Sequence, residues 1–516
     1  MTDLRRPTAP FPGRPLAVAL ACGLALACGA AAAQDATATP DAAPALHRLD
    51  ARTRFGAERV HLPGGERMGL VGLTVLGHVH DEFWAGPGVY GAATGQRGGL
   101  FVPGFEGAWS HPFSEWLAVD AGVFAGGGGG ANAPVGGGLM LRPHVDLVLR
   151  LPGFYMGPTW SQVRFTNGAI NSHQFGWMFN FDSNFRFRRA DDLREGQPTD
   201  GRADGLGFDR IDATLTAERP RHSRLTSGEP MTQTVGLVGL RAERTIEGPL
   251  WAGIEAAGAA RGGVAGYAEV LGTAGLRWPV LGDRLALGVR GALGLGGGGA
   301  IDTGGGLLGK AAAGATLRVT DALGIGAEVG VARALRHGDF TATTASLSLN
   351  WQLDVPRGTG FDAHAAPSDA TRGEFISGVE RYRAGRRDGP ARDLEAVVLA
   401  YNRFVTPRFY VTGQAHSAFG GGAGAYSVGL FGLGTQWPVA GPVRVGAEAL
   451  AGAAGGGGVD TRGGELLQAR AYADVALSPT VSLRVGGGRV KSVHGSVDAP
   501  EIDAAIVFRF GIDRRR

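Results

Sequence analysis

Ala345-Ser346-Leu347-Ser348-Leu349-Asn350-Trp351-Gln352-Leu353 puts an apolar side chain at every odd position and a small or polar one at every even position. A strand turns successive side chains to opposite faces, so this alternation reads as a strand with one apolar and one polar face. Phe175, Trp177, Phe179 and Phe181 alternate in the same way with Gly176, Met178, Asn180 and Asp182. Leu285, Leu287, Val289 and Leu293 alternate with Ala286, Gly288, Arg290 and Ala292. Such runs last about 9–12 residues, enough to cross a bilayer as tilted strands, whereas soluble strands average about 5–6.

Three stretches of the chain carry matching landmarks. Oligoglycine tracts stand at Gly126 to Gly130, Gly296 to Gly299 and Gly455 to Gly458. Each is followed within a few residues by a second glycine group, at Gly136, Gly304 and Gly463. His111-Pro112, Trp278-Pro279 and Trp437-Pro438 lie upstream of the tracts. Phe179-Asn180-Phe181, Leu349-Asn350-Trp351 and Phe508-Arg509-Phe510 lie downstream. Fixed spacing over so many positions points to one unit present three times. Arg48-Leu49-Asp50-Ala51 recurs as Arg210-Ile211-Asp212-Ala213, so the duplicated piece included its own tail. The expected division is a signal at 1–33, a tail and first unit at 34–187, a linker and second unit at 188–354, and a linker and third unit at 355–516.

About eight strands are expected per unit. In the second they begin near Phe208, Thr234, Trp251, Tyr267, Arg284, Leu307, Gly324 and Thr341. An even number of antiparallel strands returns the chain to its starting side. The connections fall into two classes. Short ones include Thr320-Asp321 and Ser478-Pro479-Thr480; longer glycine-rich ones include Phe419 to Gly424 and the oligoglycine tracts. The Trp-Pro pairs fall on the short-turn side, where an aromatic girdle belongs.

The N-terminus reads as an export signal. Arg5, Arg6 and Arg14 precede an unbroken small and apolar run from Leu16 to Ala33, and cleavage is expected before Gln34. Cys22 and Cys28 lie inside that signal, so the mature chain carries no cysteine and no disulfide. Its net charge is then close to zero, which gives no bulk case for a nucleic-acid partner. Lys310 and Lys491 are the only lysines among 50 basic residues.

At the C-terminus, Ile502, Ala504, Ile506, Phe508 and Phe510 alternate with Asp503, Ala505, Val507 and Arg509. Together with the export signal and the strand pattern, this resembles Gram-negative outer-membrane β-barrel proteins as a class. The resemblance implies an outer-membrane location, outer-membrane lipid as surroundings, and an insertion machinery that reads the last strand through Phe508 and Phe510. The chain departs from the class pattern in continuing past Phe510 as Gly-Ile-Asp-Arg-Arg-Arg. The rival fold, a soluble β-solenoid or sandwich, would need shorter strands and repeats nearer about 20–50 residues. The expected fold is therefore all-β: a transmembrane antiparallel β-barrel of about 24 strands, built from three eight-strand repeats. One large barrel is slightly favoured over three small barrels in tandem.

The most suggestive polar residues lie around the oligoglycine tracts. Arg142, Lys310 and Arg470 match on the strand after the tract. Arg142, His144 and Asp146 share one face there, as do Arg470, Tyr472 and Asp474. Asp120, Arg290 and Glu448 match on the strand before it. All ten are expected to point into a lumen, as a charged lining that selects solutes. The competing reading is internal pairing of Asp120 with Arg142 and of Glu448 with Arg470; Arg290 and Lys310 would break it by carrying like charge.

Other motifs carry less. Gly304 to Lys310 reads GGGLLGK, but Ala311 stands where a phosphate loop needs Ser or Thr. Asp302 and Asp460 each stand alone, without the tandem nonapeptides of a calcium repeat. Ser172-His173 is the one candidate for a lipid-hydrolase pair, and His78 with His80 lack a third metal ligand. No enzyme activity and no cofactor are expected. The leading expectation is a pore or channel passing solute or polymer; the alternative is a structural or surface-interaction barrel without conductance.

Overall fold

The computed structural model describes residues 45–193, 206–282, 284–354 and 368–515. The expected signal and its cleavage point before Gln34, with most of both linkers, lie outside the described residues.

Three sets of eight strands follow one another. The first comprises β1 (His47–His61), β2 (Arg67–His80), β3 (Phe83–Thr94), β4 (Phe101–Pro112), β5 (Leu117–Gly127), β6 (Leu139–Leu151), β7 (Phe154–Phe165) and β8 (Asn171–Arg189). The second comprises β9 (Arg210–Pro220), β10 (Val235–Glu247), β11 (Leu250–Arg261), β12 (Ala268–Leu281), β13 (Leu285–Gly297), β14 (Leu307–Arg318), β15 (Leu323–Ala334) and β16 (Thr341–Gln352). Its starts fall within two residues of those expected. The third comprises β17 (Ser368–Ala384), β18 (Arg392–Phe404), β19 (Phe409–Ala418), β20 (Ser427–Ala440), β21 (Val443–Gly455), β22 (Glu465–Ala476), β23 (Val481–Ser492) and β24 (Asp498–Arg515).

Each set closes on itself. β1 pairs with β8 from His47↔Phe187 to Glu58↔Gly176. β9 pairs with β16 from Arg210↔Gln352 to Pro220↔Ala342. β17 pairs with β24 from Ser368↔Arg515 to Tyr382↔Glu501. The slight preference for one large barrel is thereby corrected to three small closed ones. A single wall would pair β8 with β9; instead first and last strands of a set match in length and polarity. Phe55 packs edge-on against Phe181 outside, while Arg54 donates to Asn180 at 3.3 Å inside. The tail beyond Phe510 continues β24, which meets β8 at Phe510↔Arg189 and Gly511↔Arg188, with Arg188 also reaching Asp513 at 3.4 Å.

Polarity is inverted relative to a soluble protein. Phe175 is 77% exposed and Leu347 60%, whereas their strand neighbours Asn180 and Asn350 are buried. Apolar side chains form the outer belt, and charged ones fill the interior. Trp278 and Trp437 lie on the outer face near the short-turn ends of β12 and β20, as expected of a girdle.

The glycine tracts explain how the barrels meet. The Gly296 to Gly299 tract of the second barrel approaches the β3–β4 loop of the first, where Gly98 N–H donates to Gly304 O at 2.9 Å. The Gly455 to Gly458 tract of the third approaches Gly266 in the β11–β12 loop of the second. The Gly126 to Gly130 tract of the first approaches the β19–β20 loop of the third, where Gly424 N–H donates to Gly136 O at 3.1 Å. Each of these three loop contacts joins the same two unlike patches, and the third closes the ring, so the loop side is a pseudo-threefold assembly with heterologous interfaces. Outside that pattern, β24 also meets β8 at the opposite end. Close backbone approach is why glycine is needed. A Cβ on Gly98 would stand 2.6 Å from Gly306 N.

Candidate functional site

The alternation that turns apolar residues outward turns every candidate lining residue inward. Asp120, Arg142, His144, Asp146, Glu448, Arg470, Tyr472 and Asp474 are all buried in lumens, and Arg290 and Lys310 are nearly so. Their partners differ from those expected.

In the first barrel, Arg54 sits at the centre. Its guanidinium reaches Glu106 at 2.6 Å, Asp120 at 2.6 Å and Asp146 at 3.3 Å. His144 lies between Asp146 (3.1 Å) and Glu106 (3.3 Å). Arg142 is held by Glu58 at 2.8 Å, and Ser161 donates to the same carboxylate at 2.5 Å. The expected Asp120–Arg142 pair is therefore replaced by Asp120–Arg54 and Arg142–Glu58.

The second barrel solves its like-charge problem with glutamates from other strands. Arg290 donates to Glu328 at 2.8 Å and to Glu255 at 2.9 Å. Lys310 reaches Glu218 at 2.9 Å and also pairs with Glu269. Arg241 bridges Asp212, Glu243 and Glu328 at 2.8, 2.8 and 3.0 Å. A cavity of about 20 Å³ among Thr214, Glu255, Lys310 and Ser346 is room for roughly one water.

In the third barrel the expected Glu448–Arg470 pair is present at 2.7 Å. Arg484 reaches Asp474 at 2.7 Å and Glu374 at 3.2 Å, and stacks 3.7 Å from the Tyr472 ring centroid. Tyr472 and Tyr410 share a hydroxyl contact of 2.8 Å, and Tyr410 donates to Glu448 at 2.7 Å. Glu380 holds His416 at 2.7 Å.

Sequence reasoning missed Arg54, Glu58, Glu218, Arg241, Glu328, Glu374 and Arg484. A usable signal was there. Glu58, Glu218 and Glu380 recur on the first strand of each set at inward parity, each followed directly by an arginine.

Above these networks each lumen is stoppered on the loop side by apolar side chains. Val60, Met68, Tyr90, Phe124, Met140 and Phe165 do this in the first barrel. Val235, Leu237, Tyr267, Leu308 and Phe340 do so in the second. Tyr382, Leu394, Tyr426, Leu466 and Val490 do so in the third. All lie at strand ends next to the loops.

The remaining candidates separate. Ser172 is buried and donates to Gln174 at 2.7 Å, while His173 faces outward and stacks on Trp160 with centroids 5.9 Å apart. Adjacent strand residues point to opposite faces, so they do not form a catalytic pair. Lys310 of the GGGLLGK segment points into a lumen, away from any loop cradle.

The fold and lumens define a class: closed antiparallel barrels with apolar exteriors and ion-paired interiors. Among proteins compared, no family model and no curated protein matches the chain. Solved structures similar to it are Gram-negative outer-membrane β-barrel proteins. OpdK, an outer membrane protein from Pseudomonas aeruginosa, is 10% identical over 90% of this chain and 99% of its own, with a TM-score of 0.21. The siderophore receptor PirA from Acinetobacter baumannii is 9% identical over 91% and 81%, with a TM-score of 0.26. The NanC porin is 8% identical over 59% and 100%, with a TM-score of 0.15. Scores this low carry no further weight, and the class rests on strand closure and inverted polarity.

Proposed function

We propose that the protein is an outer-membrane three-barrel assembly with shut lumens, which acts through the surface it presents rather than as a standing pore. The observation that carries this reading is the apolar stopper across each lumen above an ion-paired network. Eight strands enclose just enough space for side chains to fill. Water and ions would have to cross the stopper without compensating polar contacts, at high cost. On this reading the ten lining residues specify and rigidify the interior. The outer leaflet and the insertion machinery, addressed through Phe508 and Phe510 before folding, are the partners.

Passage of solute or polymer is the second reading. It is favoured by the column of charged side chains beneath each stopper, and it requires the stopper to move. Planar-bilayer recording separates the two. The full mature chain is expected to insert without steady unitary conductance. Stable unitary steps from the wild-type protein would replace the first reading with the second.

A further inference from the structure

Cations recur on the outer face of every barrel at one place. In the first barrel, Arg59 on β1 and Arg164 on β7 are exposed. In the second, Arg219 on β9, Arg221 just beyond it, and Arg333 on β15 are exposed. In the third, Arg381 and Arg383 on β17, with Arg489 and Lys491 on β23, are exposed. All lie at the loop-side ends of the first and seventh strands of a set. Those two strands flank the eighth, so each barrel holds a pair of basic arms around one strand end. Register offsets the two arms of a barrel along its eighth strand. Arg164 stands opposite Asn171, while Arg59 follows Glu58, which is opposite Gly176. Arg333 stands opposite Thr341 and Arg219 opposite Thr343; Lys491 stands opposite Asp498 and Arg381 opposite Ile502.

Two features set these cations apart. Inside the lumens guanidinium groups are held by carboxylates. Among the described residues, Arg59, Arg164, Arg221, Arg333, Arg383 and Lys491 have no carboxylate within ion-pair distance; Arg381 and Arg489 pair with Asp393 and Asp498 at 2.6 Å. Beside and below them, toward the middle of the same outer face, lie exposed apolar side chains. These are Phe175 and Trp177 in the first barrel, Val331 and Leu347 in the second, and Val485 and Ile502 in the third. The loop-side ends of the strands that carry the arms are away from the barrel–barrel contacts near the loops, which use β3 to β5, β10, β11, β13, β14, β18 and β20 to β22. β8 and β24 meet only at their opposite ends, where Leu49, Phe185 and Phe187 pack with Phe375 and Phe510.

A paired cation above an apolar wall is complementary to one chemistry, a phosphate-bearing head group with acyl chains. We propose that each barrel binds a phosphorylated acyl lipid of the surrounding leaflet, its phosphate between the arms and its chains along the eighth strand. Guanidinium groups suit phosphate because they donate in a fork. The proposal rests on the outer-membrane reading, and commits to lipid rather than free phosphate because the apolar wall is continuous with the arms.

The test uses the full mature chain in detergent, exchanged into nanodiscs that contain diphosphorylated lipid A or its dephosphorylated form in a phosphatidylcholine background. Bound lipid is counted after extraction. Each basic residue near a charged surface contributes roughly fivefold in affinity, less with salt, so enrichment of the phosphorylated form on the order of tenfold is expected. Replacing Arg59, Arg164, Arg221, Arg333, Arg383 and Lys491 together by Gln should bring it to about parity, with unfolding unchanged because the side chains are exposed. A protein that inserts but shows no preference, or a variant that keeps it, overturns the proposal. So does loss of enrichment on adding inorganic phosphate at equal concentration, which would mark a free-anion site. A chain that fails to enter the nanodisc at all overturns the membrane reading instead.

Discussion

Arg484 has no exposed surface, yet it compensates two carboxylates, Asp474 and Glu374, and covers the Tyr472 ring. A buried charge is tolerated only while its partners stay matched. Arg484→Met should therefore cost about 3–5 kcal/mol by taking the cation from buried Asp474 and leaving Glu374 with Arg372 alone. Unfolding of the reconstituted protein in urea measures this. Arg484→Met combined with Asp474→Leu and Glu374→Gln should recover part of the loss. A single variant as stable as the wild type would mean that the network is hydrated. The inward charges were legible as candidates from strand parity alone. Their partners were not, because pairing runs across the lumen between strands far apart in sequence, as in Arg54 with Asp120 and Arg241 with Glu328.

At the scale of the strand, alternation does the sorting. On β16, Leu347 faces out at 60% exposure while Ser346 and Ser348 face in. If the outer face meets hydrocarbon, Leu347→Arg should destabilise the bilayer-embedded protein by roughly 2–4 kcal/mol. Ser346→Ala should cost no more than about 1.5 kcal/mol, the net value of one hydrogen bond, here to Thr216. Equal small effects at both positions, measured in the same vesicles, would argue against a lipid-facing surface. The starts of the second set's eight strands were readable to within two residues because period-two runs alternate with turn residues, mostly glycine or proline, with Thr320-Asp321 between β14 and β15. The reason for the oligoglycine tracts was only half readable. Tight turns were expected; the close approach of a neighbouring barrel was not.

For the whole molecule, the ring makes a direct prediction. A Cβ on Gly258 of the second barrel would lie 2.9 Å from the Ala453 Cβ of the third, close to disulfide geometry after a small shift. Gly258→Cys with Ala453→Cys should crosslink under mild oxidation, and a protease cut in the intervening linker should then leave the fragments joined. Fragments that separate would show that the barrels do not pack as a ring. The chain otherwise holds no competing thiol once the segment bearing Cys22 and Cys28 is removed.

Sequence alone determined that this chain is a set of long antiparallel strands with one apolar face, grouped three times by eight, and that Asp120, Arg142, Lys310, Glu448 and their neighbours face inward. Those properties follow from period-two alternation and fixed landmark spacing, which are local. The tertiary structure decided what depends on which distant strands meet: three closures instead of one, cross-lumen ion pairs, apolar stoppers, and a ring sealed by glycine. Repeated units offer every first strand three equivalent last strands. Only the matched lengths, faces and registers of β1 with β8, β9 with β16 and β17 with β24 select the partner within the same set.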